Sequence, residues 1–441
     1  MIVKKLDENS MGAIPEEVDF FHTTETQDAI VNVDTHEYMT LNPYTDSPYN
    51  FRAHSGTKLI NLNKMMLLYK MSMQVRDAPT DKDTTPPVWR ASTDKDNVST
   101  INGPGSRAFA NAILTVNNVQ MENTNGMYAY KAAMYEELYH TEAEKKTILQ
   151  AYGYHFDEDP TNDPTAVLTN TSFVARRDAF TDDKVVEFFV PIYLDFCGQN
   201  RPLQTLCEFE LELHVSSDKF IAYAPTFEGD VKFTIRGMRL FVPFIELQPG
   251  FSLDVEKRVV NEPFRYPMQR SVMKSFFYEK ERMEAFQNID NDMQPRFICV
   301  GHVKKDAYHG SYKTNPLYFE SFNLVDHRIN NHTQNPFVPW QLDFEKGHVM
   351  RAFVSLHANS PVDNGITLKM FKNGCCLFPH ILTSNKEDDG TFDLVRDGAT
   401  NLHERFAKEV GGSGITTVTW CRYDTIVFMD QARALRSDLT M

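Results

Sequence analysis

Hydrophobic and polar residues alternate along much of this chain. In Lys64 to Arg76 (KMMLLYKMSMQVR), Met65, Leu67, Tyr69, Met71, Met73 and Val75 fall on one face, with Lys70, Ser72, Gln74 and Arg76 on the other. A period of two marks a half-buried strand, because successive side chains on a strand point to opposite sides. Thr205 to Val215 behaves alike: Glu208, Glu210 and Glu212 alternate with Phe209, Leu211 and Leu213, so one face is wet. A strand is expected over Ala112 to Met121, ending at the Asn123–Gly126 turn cluster, and another over Val185 to Phe196. Val231 to Ile245 (VKFTIRGMRLFVPFI) is long and largely apolar, as a central strand would be. Residues 77–106, rich in Asp, Thr, Pro and Gly, predict a long loop.

The period changes once in this half. Tyr130, Met134 and Leu138 recur every fourth residue, which predicts a helix. Thr141 and Glu144 form a capping box that opens a second helix through Ile148, Leu149 and Tyr152. Residues 155–172 are an acidic loop, and 249–262 a connector with one or two helical turns. The same plan then repeats. Strands are expected over Tyr266–Glu279, Arg296–Lys304 and Phe319–Ile329, followed by an Asn-rich turn over 330–335. Asp343 is placed to cap a helix on which Val349, Phe353 and Leu356 share a face. Further strands are expected over Ile366–Phe371, Cys376–Leu382, Leu402–Val410 and Thr416–Met429.

The fold class predicted is all-β with helical insertions: two tandem antiparallel jelly-roll β-sandwiches, a double jelly roll. The expected boundaries are an N-terminal arm over 1–20, a first jelly roll over 21–248 with a helical excursion at 127–152, a connector over 249–262, and a second jelly roll over 263–441 with a helix near 344–358. The excursion is expected to lie outside the sheets. A doubly wound α/β fold would need helices between most strands, and the pattern lacks them.

Composition narrows the function. With 441 residues and 41% hydrophobic content, the chain can build two cores. The net charge of -15, from 45 Lys and Arg against 60 Asp and Glu, argues against a protein that neutralises phosphates, so no direct sequence-specific nucleic-acid binding is expected. No apolar run reaches about 18 residues, so no membrane span is expected. The N-terminus shows no secretory h-region, and the Asn97, Asn170 and Asn331 sequons are expected to stay unmodified. Six sparse cysteines (Cys197, Cys207, Cys299, Cys375, Cys376 and Cys421) without a Cys-x-x-Cys pair suit free thiols, with Cys375 and Cys376 alternating faces on a strand.

Candidate chemistry is weak throughout. No Gly-x-Ser-x-Gly elbow occurs, and Gly411-Gly-Ser-Gly414 lacks the Lys of a phosphate loop, leaving it as a hairpin loop between strands. Asp157, Asp159 and Asp163 fail the EF-hand pattern, with Pro160 inside and Leu168 at the twelfth position. Asp326, His327 and His332 come closest to a metal cluster, but adjacent strand residues point apart. His302 and His309 offer an acid–base pair with no nucleophile or orienting carboxylate at a recognisable spacing. Glu136-Glu137 and Asp388-Asp389 are expected on solvated faces. No catalytic, cofactor-binding or metal residue is assigned. The 32 Phe and 18 Tyr suit core and subunit interfaces, or alternatively sugar stacking in a carbohydrate-binding jelly roll. A cupin-like oxygenase would need clustered His and carboxylate ligands on adjacent strands.

From Lys64 onward the chain resembles the double jelly-roll major capsid proteins of Polinton (Maverick) elements and adintoviruses, distant relatives of adenovirus hexon. The residues carrying the resemblance are 296–324 (RFICVGHVKKDAYHGSYKTNPLYFESFNL, with the run Gly310-Ser-Tyr-Lys-Thr-Asn-Pro316), Phe264 to Arg270, Val338-Pro-Trp340 followed by Arg351-Ala352, and Asn125 to Gln150. The arm and the acidic loop have no counterpart. The resemblance implies a homotrimeric capsomer with six jelly rolls in pseudo-hexagonal array, contacts to neighbouring capsomers, penton and minor capsid proteins, and an icosahedral virion shell around a DNA genome. It implies assembly in the nucleus or cytoplasm of a host cell and no catalytic residues. A minor capsid or vertex protein, or a copy domesticated by a host, are the alternatives.

Overall fold

A computed structural model describes residues 7–437 apart from positions 8, 12, 22, 46, 79–87, 332–339 and 389. His332, Asp389, Val338 and most of the Asn-rich turn fall outside the described residues.

The first half runs through β1 (Ile30–Met39), β2 (Tyr49–His54), β3 (Met66–Asp77), β4 (Phe109–Val116), β5 (Val119–Asn123), β6 (Val185–Pro191), β7 (Glu208–Val215) and β8 (Gly229–Leu247). In one sheet β8 lies between β1 and β3, and β6 pairs with β3; in the other the order is β2-β7-β4-β5. The second half runs through β9 (Phe264–Tyr278), β10 (Glu284–Asp290), β11 (Phe297–Lys304), β12 (Leu324–Asn331), β13 (Leu377–Ile381), β14 (Thr400–Phe406) and β15 (Ile415–Met429). Here β15 lies between β9 and β11, β13 pairs with β11, and the facing sheet runs β10-β14-β12. These pairings are antiparallel. Both halves therefore use one scheme. The last strand sits between the first and third, the next-to-last between the second and fourth, and the chain crosses from sheet to sheet in jelly-roll order. The molecule is a double jelly roll.

Alternation explains the strands. Leu67, Tyr69, Met71, Met73 and Val75 of β3 are buried, and so are Phe209, Leu211 and Leu213 of β7, which face them in one core. Each such side chain contributes roughly 1.5–3 kcal/mol when withdrawn from water. On the wet face Glu208 pairs with Arg52 of β2.

Several expectations are corrected. Ala112–Met121 is not one strand: Asn117 and Asn118 adopt φ of 48° and 64° and turn the chain into the β4–β5 hairpin. Asn tolerates that left-handed region better than most residues, as such a two-residue turn demands. Six helices matter for the fold: α1 (Tyr128–Tyr139), α2 (Glu142–Lys146), α3 (Thr171–Phe180), α4 (Pro249–Val259), α5 (Met350–Ala358) and α6 (Leu368–Lys372). The last replaces the strand expected over Ile366–Phe371, with the Thr367 hydroxyl capping it at the Met370 N–H. Asp343 does not cap α5; it closes a tight turn with His348, and the helix begins after Val349. The acidic loop ends in α3, where the Asn170 side chain accepts from the Phe173 N–H at 3.0 Å. Gly411–Gly414 joins β14 to β15, which lie in different sheets, so it is a crossover and not a hairpin loop.

The largest correction concerns α1. It is enclosed: Tyr128 and Ala132 belong to the first core, while Ala129, Tyr130, Ala133, Met134 and Leu138 belong to the second. Its second face is buried as well, so α1 is not peripheral although the excursion joins no sheet, whereas α2 after it is largely exposed. The capping box stands as expected, with Thr141 N–H donating to Glu144 at 2.8 Å and Glu144 N–H donating back to the Thr141 hydroxyl at 3.3 Å.

Candidate functional site

Three features stand out: a polar seam around α1, a buried histidine network in the second half, and exposed apolar surface at the molecule's edges.

The seam gathers charge where none was expected to be buried. Arg107 donates to Glu136 at 2.8 Å and to Glu137 at 3.1 Å. Lys145 reaches Glu137 at 3.2 Å and donates to the Glu137 and Asn364 carbonyls. Glu136 and Glu137 are buried, not on a solvated face. Burial alone would raise the Glu137 carboxyl; Lys145 and Arg107 outweigh it and hold it below the usual range. Asp388 is likewise engaged, accepting from Arg296 at 2.9 Å and Arg422 at 2.8 Å. On the other side of α1, Lys131 lies 2.6 Å from Glu122 of β5 and 2.7 Å from Asp195. Asp195 also accepts from the hydroxyl and N–H of Ser271 on β9, and the Trp420 indole of β15 donates to that hydroxyl at 2.9 Å. α1 is thus tied to the second jelly roll through Asp195 and Ser271, and directly by the Tyr130 hydroxyl, which donates to the Tyr308 carbonyl at 3.1 Å.

The histidine network crosses the second sandwich. His302 on β11 and His327 on β12 both approach one oxygen of Glu404 on β14, at 2.8 and 2.9 Å, and Tyr278 donates to the other at 3.2 Å. The far nitrogen of His327 lies 2.9 Å from Nε2 of His380 on β13, and Trp340 stacks on His380. All four network residues are buried. Burial would raise the Glu404 carboxyl, but His302 and His327 hold it far below the carboxylate range. Burial pushes His380 well down, so it is kept neutral. Sequence spacing missed Glu404, which stands 102 residues from His302. A signal was present: Leu402, Glu404 and Phe406 share the inward face of β14, so a charge pointed at the core. The orienting carboxylate absent from the sequence reading is therefore Glu404, supplied by the opposite sheet.

The remaining candidates disperse. His309 stacks against Phe277 and meets Tyr308 edge-on, and does not join the Glu404 network. Asp326 pairs with Arg328 at 2.7 Å instead of joining His327. Asp157 accepts from Asn170, Asp159 pairs with Lys369, and Asp163 holds the N–H groups of Thr165 and Ala166. Among the described residues, no group of three or more His, Cys, Asp or Glu is placed to hold a metal ion. The six thiols are free. Cys375 sits partly buried ahead of β13, where it forms a β-bridge with Phe319, and burial pushes the Cys376 thiol up. No helix among the described residues is long and apolar enough to cross a membrane.

Exposed apolar residues occur at Phe20 and Phe21 and along β1, which among the described residues pairs with β8 alone. Phe21 is 94% exposed, Phe20 81%, and Val31, Val33, Met39 and Leu41 are all open. A second group, Leu394 and Val395, lies on the loop before β14.

No family model matches the chain. An uncharacterized protein of Caenorhabditis elegans is 26% identical over 402 residues, covering 88% of this chain and 92% of the relative. Among solved structures, a chain of the Sputnik virophage particle, determined by cryo-electron microscopy, superposes with a TM-score of 0.68 at 9% identity, covering 100% of this chain and 95% of its own. The mavirus major capsid protein gives 0.55 at 10% identity, covering 100% and 97%. The Faustovirus major capsid protein gives 0.56 at 9%, covering 93% and 92%. At such identities the likeness lies in the path of the chain: these structures share its double jelly-roll fold.

Proposed function

We propose that this chain is a major capsid protein, a shell-forming subunit and not an enzyme. The observation that carries the proposal is the repeated pairing scheme. Two jelly rolls in tandem span the chain, and the superposition on a virophage particle chain covers 100% of it. A subunit of this design places two similar walls side by side. Three copies around an axis give six, which fill a hexagonal lattice with one gene product, and closed symmetry keeps the block finite. In this reading the capsomer is a homotrimer and the exposed apolar arm and β1 are its contact surface. The shell is icosahedral and encloses DNA, neighbouring capsomers and penton and minor capsid proteins are its partners, and the element is of the Polinton or adintovirus kind. The acidic balance keeps unassembled blocks soluble.

The similar nematode protein favours a second reading, a capsid gene copy carried in an animal genome. The two share a fold and differ in whether particles form. Negative-stain electron microscopy of the purified full chain tests the proposal. Uniform three-fold blocks or closed shells support it, and dispersed single chains at micromolar concentration would refute it.

A further inference from the structure

Lys131 is held between two carboxylates from separate elements. Its ammonium lies 2.6 Å from Glu122 Oε1 and 2.7 Å from Asp195 Oδ1, with side-chain exposures of 4%, 8% and 9% for the lysine, the glutamate and the aspartate. An ion pair alone would account for this contact. What exceeds it is the set of donors around Asp195. The Ser271 hydroxyl donates to Oδ1 at 2.8 Å, the Ser271 N–H donates to Oδ2, and the Trp420 indole fixes that hydroxyl at 2.9 Å. Glu122 Oε2 accepts from the Asp195 N–H, so the glutamate bridges the two groups.

We propose that Lys131 and Asp195 condense into a covalent side-chain amide, formed by the folded chain itself with Glu122 relaying protons. The Lys131 Nζ attacks Cγ of Asp195; the Nζ–Cγ bond forms and the Cγ–Oδ1 bond breaks. Oδ1 leaves as water with two of the three ammonium hydrogens, and the opposite charges of the two groups cancel. Nothing is oxidised or reduced. Burial opposes the charge on Lys131, but Asp195 and Glu122 outweigh it and hold the ammonium above the ordinary lysine range, so one proton must be drawn off to a neighbouring carboxylate before the amine can attack. Glu122 touches Nζ, and burial together with Asp195 raises its carboxyl to about 7, so it can take that proton and return it to Oδ1. The Ser271 N–H faces the oxygen that carries negative charge in the tetrahedral intermediate and remains as the amide carbonyl. Replacing a desolvated ion pair by a neutral amide removes a burial penalty, which favours condensation here although water would oppose it in solution. Tyr135, Tyr193 and Trp420 line the adjoining cleft, giving the released water a way out.

The bond would close a loop of 64 residues. It would tie α1 to the start of the short helix Asp195–Gly198, restricting the unfolded chain as a disulfide does. The inference does not depend on the capsid proposal.

Intact mass spectrometry of the denatured, reduced full chain tests it. The expected mass is one water below that of the sequence, with a branched tryptic peptide joining residues 131 and 195. Full sequence mass in natively folded wild-type protein overturns the proposal, whatever the variants do. Water loss that persists in Lys131→Met also overturns it, because the loss then lies elsewhere. Glu122→Gln should slow cross-linking after refolding by at least about a hundredfold; an unchanged rate would remove Glu122 from the reaction.

Discussion

Glu404 illustrates how a single inward charge organises the second jelly roll. Its carboxylate is the common acceptor for His302 and His327, and removing one partner of a buried ionic cluster leaves the others uncompensated. Glu404→Gln should therefore cost about 3–5 kcal/mol of stability at neutral pH, read from urea unfolding. Acid sensitivity follows from two depressed groups. His380 is kept neutral in the fold while the unfolded chain takes up a proton below the ordinary histidine value of 6.5, so stability begins to fall as pH drops below about 6.5. Glu404, depressed from 4.5, contributes stability that is present above that value and lost below it. His380→Gln should flatten the upper part of the pH–stability curve, between about 6.5 and 4.5, and leave the lower part. An unchanged upper limb would show that His380 is not its source. At this scale the sequence was only partly legible. Alternation along β14 carries the inward placement of Glu404, a signal the sequence reading missed, and its partners come from other strands. Glu136 and Glu137 were misplaced because local spacing cannot show that a helix is enclosed on both sides.

Among elements, α1 has the widest reach. It supplies side chains to both cores and, through Lys131, Glu136 and Glu137, charge to both sides of the seam. Met134→Ala should cost about 2–5 kcal/mol through the cavity it leaves. Hydrogen exchange should then show protection lost in both jelly rolls together; loss confined to one half would contradict the keystone role. Deleting residues 127–152 should prevent folding instead of merely weakening an assembly. The strands that alternated cleanly, β3 and β7, were legible. β1 and β10 were not, because β1 (IVNVDTHEYM) is exposed on both faces and β10 (EAFQNID) is short and mostly polar. The run over 366–371 reads as a strand in sequence because periodicity cannot separate a brief apolar strand from a single helical turn. Thr367, the second residue of that run, is the cap that starts the helix.

The whole molecule repeats one jelly roll and leaves its apolar arm and first strand uncovered. Apolar residues exposed along one strand and the segment before it are the kind of surface that a contact face would cover. Replacing Phe20 and Phe21 with Ser should weaken self-association without lowering the melting temperature of the isolated chain, because both side chains stand almost fully in solvent. A matching fall in melting temperature would place them in the fold instead. The double repeat was legible from the order of elements, since each half passes from early strands through a helix to a long final strand. Its sheet pairing was not, because cross-strand partners such as Glu208 and His54 lie far apart in sequence.

The central claim, that the chain is a shell-building subunit acting as a closed trimer, is tested most directly by light scattering coupled to size exclusion across a dilution series. A mass three times the 50.8 kDa of one chain, unchanged over that series, is the predicted result. A mass of 50.8 kDa at every concentration, in low salt as well as high, would contradict it.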